Sequence, residues 1–241
     1  KKLTGIATEM IMEGKEYPLL IPMSKIAGKL AVQKGMQFLE YSSQGKGVLL
    51  SAISGEKNSK VTIIGCGEVG RASIHKSVQI GASVTAIDVN EKTLEDLKNK
   101  YGENISTIIS GTDEAVNAIR SADLVIGAVL LPGRKPPVVV TEEDISAMEK
   151  GTVIVDVAID QGGCVEGVTP NTHSDPFEIR NGVIISAIAN LPGAVPRTSS
   201  IELSTNLQKY VDNLLIENWF DEYKNNESLR PSLQIHNGLL L

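Results

Sequence analysis

The sequence is short of cysteine, of histidine, of excess positive charge and of long apolar runs. Cys66 and Cys164 are the two cysteines in 241 residues, too few for a disulfide framework and without metal-binding spacing. A reducing cytoplasm is therefore the expected compartment. With 23 Lys and Arg against 29 Asp and Glu, a formal net charge of −6 gives no general electrostatic reason to bind nucleic acid or an anionic membrane. The longest apolar stretches, such as ADLVIGAVLLP at 122–132, fall well short of the roughly 20 residues a membrane-spanning helix needs. No stretch of the sequence reads as a signal peptide, so none is expected. An initiator Met is also missing from the opening KKLTGIATEM, so the chain is expected to be processed or to start inside a longer protein.

What is present is a core. At 41% apolar residues the chain can bury a sizeable interior. From about residue 60, short β-branched runs alternate with helical stretches: VTIIG (61–65), SVTAID (83–88), ISTIIS (105–110), ADLVIGAV (122–129), TVIVDVA (152–158) and GVIISAIA (182–189). These runs are continuous rather than alternating, as in strands covered on both faces. Helices are predicted over 69–81, 91–102 and about 113–121, with an acidic helix start in TEEDISAME at 141–149. The order implies a Rossmann-type, doubly wound parallel sheet of the α/β class. Two helical patterns flank it: one over about 25–40 with Ser24 as its cap, and one from Thr198 or Ser199 to about 223. Both are predicted to belong to a second unit, entered before the sheet and rejoined after it.

GCGEVG at 65–70 closes an apolar strand and opens a helix, the context in which G-x-G-x-x-G binds a dinucleotide. Gly65 serves the tight turn, Gly67 the approach of a pyrophosphate, and Gly70 the close packing of helix on strand; the helix N-terminus supplies N–H donors. Asp88 ends the next strand, 18 residues after Gly70, where a carboxylate accepts from the ribose hydroxyls. Lys92 follows but no arginine stands beside the acid, and a 2′-phosphate there meets a like-charge repulsion of about 4 kcal/mol at about 4 Å in an effective dielectric of about 20. NAD is thus expected over NADP.

The stretch VIVDVAIDQGGC, 153–164, ends a buried strand in a second carboxylate and two glycines. An ordinary DQGG turn would account for it, with the acid satisfied by backbone N–H groups. A wider set of motifs favours a different account. PLLIPMSKIAGKLAVQKG (18–35), GKGVLL (45–50), ADLVIGAVLLPG (122–133), VIVDVAIDQGGCVEG (153–167), THSDP (172–176) and IANLPGAVPRTS (188–199) resemble the alanine dehydrogenase family across essentially the whole chain. Its members are NAD-dependent enzymes that interconvert L-alanine with pyruvate and ammonia. The NAD-binding subunits of proton-translocating transhydrogenase share the architecture, but AIDQGGCVEG is closer to the alanine-enzyme version.

The resemblance implies that Asp160 is the acid of the active centre, beside the amino group or the water that hydrolyses the imine, with Gly162 and Gly163 keeping the backbone clear of nicotinamide and substrate. Asp156, deeper in the strand, is expected to be a structural hydrogen-bonding residue. The family's cofactor contacts carry over to Ser24, Glu68, Val69, Asp88, Ser110, Val129 and Leu130. They continue through Val157, Ala158, Ile159 and Asp160 and end at Ile188, Ala189, Asn190 and Leu191, with Asn190 near the nicotinamide amide. No residue is assigned to a metal. The implied division is 1–24 as a remnant of the substrate domain, 25–190 as the NAD-binding domain with its leading helix, and 191–241 as the returning part of an incomplete substrate domain. The family's substrate-holding arginine and lysine and its proton-exchanging histidine lie in a front part that precedes this sequence; His75, His173 and His236 match none of them. The expected protein is an alanine dehydrogenase chain inactive alone, a homo-oligomer, commonly a hexamer in the family. The alternatives are an NAD-binding subunit, non-catalytic or complemented by a separately encoded front segment, and a transhydrogenase subunit.

The glycine loop and its acid predict that NADH binds and NADPH binds more weakly. A fluorescence titration of both checks this: equal affinities contradict it, and Asp88→Ala is expected to narrow the gap.

Overall fold

The computed structural model describes residues 2–14, 16–51, 53, 59–131 and 134–241. In chain order the strands are β1 (Gly5–Ile6), β2 (Lys60–Ile64), β3 (Ser83–Asp88), β4 (Ile105–Ile109), β5 (Leu124–Gly127), β6 (Val153–Asp156), β7 (Glu178–Arg180), β8 (Val183–Ser186), β9 (Leu233–His236) and β10 (Leu239–Leu240). The helices are α1 (Ile21–Phe38), α2 (Glu68–Gln79), α3 (Glu91–Tyr101), α4 (Asp113–Arg120), α5 (Glu142–Ala147), α6 (Pro196–Val211) and α7 (Trp219–Asn225). The chain divides into two compact units, Lys25–Ala194 and Lys1–Ser24 with Val195–Leu241.

In the larger unit, seven strands form one sheet in the order β4-β3-β2-β5-β6-β8-β7. All neighbouring pairs are parallel except β7 with β8. The α/β, mostly parallel architecture is the one the alternation of strands and helices predicts. β7 was not legible: EIR is a short edge segment, and its pairing depends on the turn through Asn181 and Gly182 that returns the chain antiparallel beside β8.

The strand interiors are apolar because helices cover both faces. On one face Ile64, Ile87, Val125, Ile154 and Ile185 pack with Ala115 and Ile119 of α4 and Ile145 of α5. On the other, α1 and α2 approach closely. A Cβ at Gly35 of α1 would stand 2.5 Å from the Leu124 side chain, and one at Gly28 only 2.2 Å from the carbonyl oxygen of Val69 in α2. The Ser73 hydroxyl of α2 donates to the Gly28 carbonyl at 2.9 Å, satisfying a polar group that is completely buried.

Two helix starts differ from expectation. Ser24 does not cap α1: the helix begins at Ile21 with Pro22 in its first turn, and the Ser24 N–H already donates to the Leu20 carbonyl at 2.9 Å. Proline fits a first turn because its missing N–H has no intrahelical acceptor there. Likewise α6 starts at Pro196, ahead of Thr198 and Ser199, and it ends at Val211 rather than running to 223. A single 3-10 turn and a break precede α7.

The smaller unit joins both chain ends. β1, β9 and β10 form a three-stranded antiparallel sheet. Its interior holds Ile11, Leu19, Tyr210, Tyr223, Leu229 and Leu233, with Leu207, Leu214 and Trp219 packed against them. Among the described residues no helix is long and apolar enough to cross a membrane.

The start of α5 carries a reciprocal cap. Asp144 Oδ2 accepts from the Thr141 N–H at 2.9 Å and its hydroxyl at 2.7 Å, and Oδ1 takes the Arg120 Nε–H at 2.8 Å. Burial acts to raise the Asp144 carboxyl, but the Thr141 and Arg120 donors outweigh it and hold it below the usual carboxylate range. A carboxyl depressed in the folded state stabilises above its unfolded pKa, and that stability is lost as pH falls through the folded value. Asp144→Asn is therefore expected to cost about 1–2 kcal/mol at neutral pH, with the difference from the parent closing below about pH 4. Urea unfolding of both proteins at pH 7 and pH 3 checks this; an equal gap at both pH values contradicts it.

Candidate active site at the carboxyl edge of the sheet

The register brings three strand ends level. Ile64 stands beside Gly127, and Gly127 beside Asp156, so β2, β5 and β6 finish in one row. From β2 the chain winds outward through β3 to β4, then crosses back to β5 and on to β6. The crevice at that reversal is where open α/β sheets take their ligands.

Gly65 turns there with φ +90, a conformation that disfavours any side chain, and a Cβ on it would meet the Ala128 carbonyl oxygen at 2.6 Å. A Cβ on Gly70 would lie 1.9 Å from the Gly65 carbonyl oxygen, so the start of α2 can sit directly on the strand end only with glycine there. Gly67 occupies the N-cap position of α2 without a side chain to cap it, and nothing lies within 4 Å of where its Cβ would be. Glu68 and Val69 follow as the first helical residues. The first-turn N–H groups thus open onto free space, the arrangement a phosphate needs.

Asp88 fixes the loop from the next strand. Its Oδ2 accepts the Cys66 N–H at 2.6 Å and its Oδ1 the Asn90 N–H at 2.9 Å, leaving each oxygen a further lone pair for a hydroxyl donor. The backbone N–H of Ser110, beyond β4, donates to the Asp88 carbonyl at 2.9 Å. Between them lies a hollow of about 300 Å³ lined by Gly65, Asp88, Ser110, Val129, Pro137 and Val139 among others. Leu130 is also on its wall and largely exposed. Pro137 and Val139 were not picked out from the sequence, where PPVVV carries no ligand signal; the chain after β5 folds back to supply that wall. Cys66, inside the glycine loop, is inert: burial first, and then the Asp88 charge, push its thiol up to about 12 against the opposing Arg71.

The second cluster lies past β6 and β8. Val157–Gln161 form a 3-10 turn that ends at Gly162 with φ +105. Ala158 and Ile159 are buried, and so are Ile188 and Leu191. Asp160 is exposed, and its Oδ1 accepts the Asn190 N–H at 3.1 Å. Asn190 follows exposed Ala189 and holds φ +54, a left-handed conformation that asparagine tolerates better than most residues. The His173 Nε2 lies 3.3 Å from the Asn190 carbonyl oxygen, and since a carbonyl only accepts, that nitrogen is the one carrying the proton in this contact. His173 therefore stands one residue removed from Asp160, unlike His75 and His236; its only sequence signal was the THSDP motif. The two glycines are also constrained within the chain. A Cβ on Gly163, at φ +74, would meet Val168 Cγ1 at 2.6 Å and Asp156 Oδ2 at 3.0 Å, and one on Gly162 would press on the Lys135 stem at 3.1 Å. Ser24 belongs to the smaller unit.

With this geometry in hand, the profile of the alanine dehydrogenase/PNT C-terminal domain matches residues 31–241. The chain belongs to this family. It is 46% identical to the alanine dehydrogenase of Bacillus subtilis (strain 168) over 239 residues, which is 99% of this chain and 63% of that enzyme. For the alanine dehydrogenase of Staphylococcus haemolyticus the identity is 42%, covering 98% of this chain and 64% of the relative. The chain thus spans somewhat less than two thirds of the curated relatives it matches. A solved L-alanine dehydrogenase superposes with a TM-score of 0.95 at 39% identity, over all of this chain and 66% of that one. A transhydrogenase from Sinorhizobium meliloti reaches 0.81 at 22% identity, a likeness of fold alone.

Proposed function

We propose that this chain forms the NAD-binding domain and part of the reaction centre of an alanine dehydrogenase, which converts L-alanine, NAD⁺ and water to pyruvate, ammonium and NADH with release of a proton. The observation that carries the reading is the exposed Asp160 carboxylate, held by the Asn190 N–H on the sheet edge that also bears the open glycine loop. Gly65, Gly67 and the first turn of α2 would hold the pyrophosphate, and Asp88 and Ser110 the adenosine end. Val129, Leu130, the 157–160 backbone and Ile188–Leu191 would line the way to the nicotinamide, and the resemblance adds Ser24 to the cofactor contacts. That ring, when bound, accepts the hydride from the alanine Cα. Asp160 in this reading takes the proton from the substrate amino group and then orients the water that attacks the imine, and Asn190 aligns the carboxylate for both. Residues 25–190 then act as the cofactor domain, while 1–24 and 191–241 belong to the substrate domain.

The family resemblance also supports a homo-oligomer. Ile201, Leu203 and Val211 on α6, and Leu215 beyond it, remain exposed although Leu207, Tyr210, Leu214 and Trp219 pack within the smaller unit. Apolar side chains left in this way favour self-association. Light scattering is expected to give a mass of several chains; a stable monomer contradicts this part of the reading.

The catalytic reading is tested with L-alanine and NAD⁺, using the chain alone and with the third of the Bacillus subtilis enzyme outside the match added in trans. The chain alone is expected to be inactive or nearly so, and the mixture active. In the active mixture Asp160→Asn is expected to lower turnover by roughly 10²–10⁴, the usual worth of a positioned proton acceptor, with NADH binding retained. Turnover that survives Asp160→Asn, or none in either preparation, overturns the reading.

A further inference from the structure

Asp156 is the last residue of β6 and is completely buried. Its carboxylate gathers donors from both ends of the following turn. Oδ1 accepts the Ala158 N–H at 2.9 Å, from the start of the turn. Oδ2 accepts the Cys164 N–H at 2.8 Å and the Val165 N–H at 3.1 Å, from its far end. The Cys164 thiol adds a contact to Oδ1 at 3.4 Å. A single acceptor would suffice to cap the 3-10 turn; this side chain accepts from four groups and carries a charge into the interior to do so.

The surroundings are shaped for that carboxylate. On the neighbouring strand Gly127 pairs in register with Asp156, and a Cβ there would stand 2.5 Å from Cys164 Sγ. On the other side Gly163 leaves Oδ2 its space. An amide at this position offers one accepting oxygen and turns an NH₂ group toward backbone donors, so it cannot reproduce the set. Buried N–H groups left without an acceptor are costly, and the turn would shift to find others. The residue carried on that turn, between the two tied ends, is Asp160.

We propose that Asp156 is the positioning residue for Asp160: by fastening residues 158 and 164–165 to one buried carboxylate, it sets where the Asp160 carboxylate stands and keeps it in reach of the Asn190 N–H. The inference rests on the reading of Asp160 as the acid of the reaction centre. Catalytic geometry of this kind must be held to within about 0.5 Å, which a turn tied at one end does not provide.

The test follows the Asn190 amide by NMR in the chain itself. In the parent its shift reports the hydrogen bond to the Asp160 carboxylate, and Asp160→Asn should move it. Asp156→Asn is expected to move the Asn190 shift away from its parent position and to speed Asn190 hydrogen exchange roughly tenfold, about the worth of one hydrogen bond. Val155→Ala, which loosens the same strand without touching the carboxylate, should leave the Asn190 amide unchanged. An Asn190 amide unaffected by Asp156→Asn, or disturbed equally by Val155→Ala, overturns the proposal. Should Asp156→Asn not fold, hydrogen exchange of the parent decides: the Ala158, Cys164 and Val165 amides must be protected like those of β6, and rapid exchange overturns it. Failure of NADH to bind the parent would instead count against the proposed function.

Discussion

The parallel register of β2, β5 and β6 is the constraint on which the rest depends. Because Ile64, Gly127 and Asp156 finish in one row, the three segments that follow them open on the same edge. The glycine loop leaves from the first, the wall of the hollow beside Asp88 from the second, and the Asp160 turn from the third. A slip of one residue in any of these pairings would turn every side chain of the strand to the opposite face, and the apolar cover on both faces resists that.

Carboxylates then hold the edge in shape. Asp88 fastens the glycine loop and Asp156 the turn that follows β6, each by accepting backbone N–H groups. The two differ in solvation. Asp88 is part-exposed and keeps lone pairs for a ligand, whereas burial pushes the Asp156 carboxyl above its usual range despite its amide and thiol donors. Asp160, the most exposed of the three, accepts one backbone N–H among the described residues, that of Asn190. One residue type thus serves as a loop brace, an internal tie and an exposed carboxylate, according to how many donors surround it.

Much of the fold was legible because the signals are local. A continuous β-branched run, a charged amphipathic stretch ending in Gly102, and a glycine loop between strand and helix each depend on a few adjacent residues. Where prediction failed, the deciding partner was remote or sterically subtle. Ser24 has the chemistry of a cap, but Pro22 admits the helix earlier; α6 has the periodicity to continue, yet its chain breaks so that Trp219 and Tyr223 can turn into the smaller core. The pairing of β1 with β9 joins residues more than two hundred positions apart, which no local pattern announces.

The same division holds for the site. By itself the sequence determined the strand–glycine–helix turn, the acid that ends β3 and the presence of a second acid before two glycines, because spacing along the chain dictates each of them. It could not assign those glycines their work. Gly163 stands at a positive φ against Val168 and the Asp156 carboxylate, and Gly127, on another strand, leaves room for the Cys164 thiol. His173 and Asn190 likewise meet only because the segment after β6 returns beside the end of β8. Hydrogen bonds and close packing act over a few ångströms in space, whatever the distance in sequence, so the tertiary structure alone decided that Asp156 is tied down in the interior and that Asp160 stands exposed.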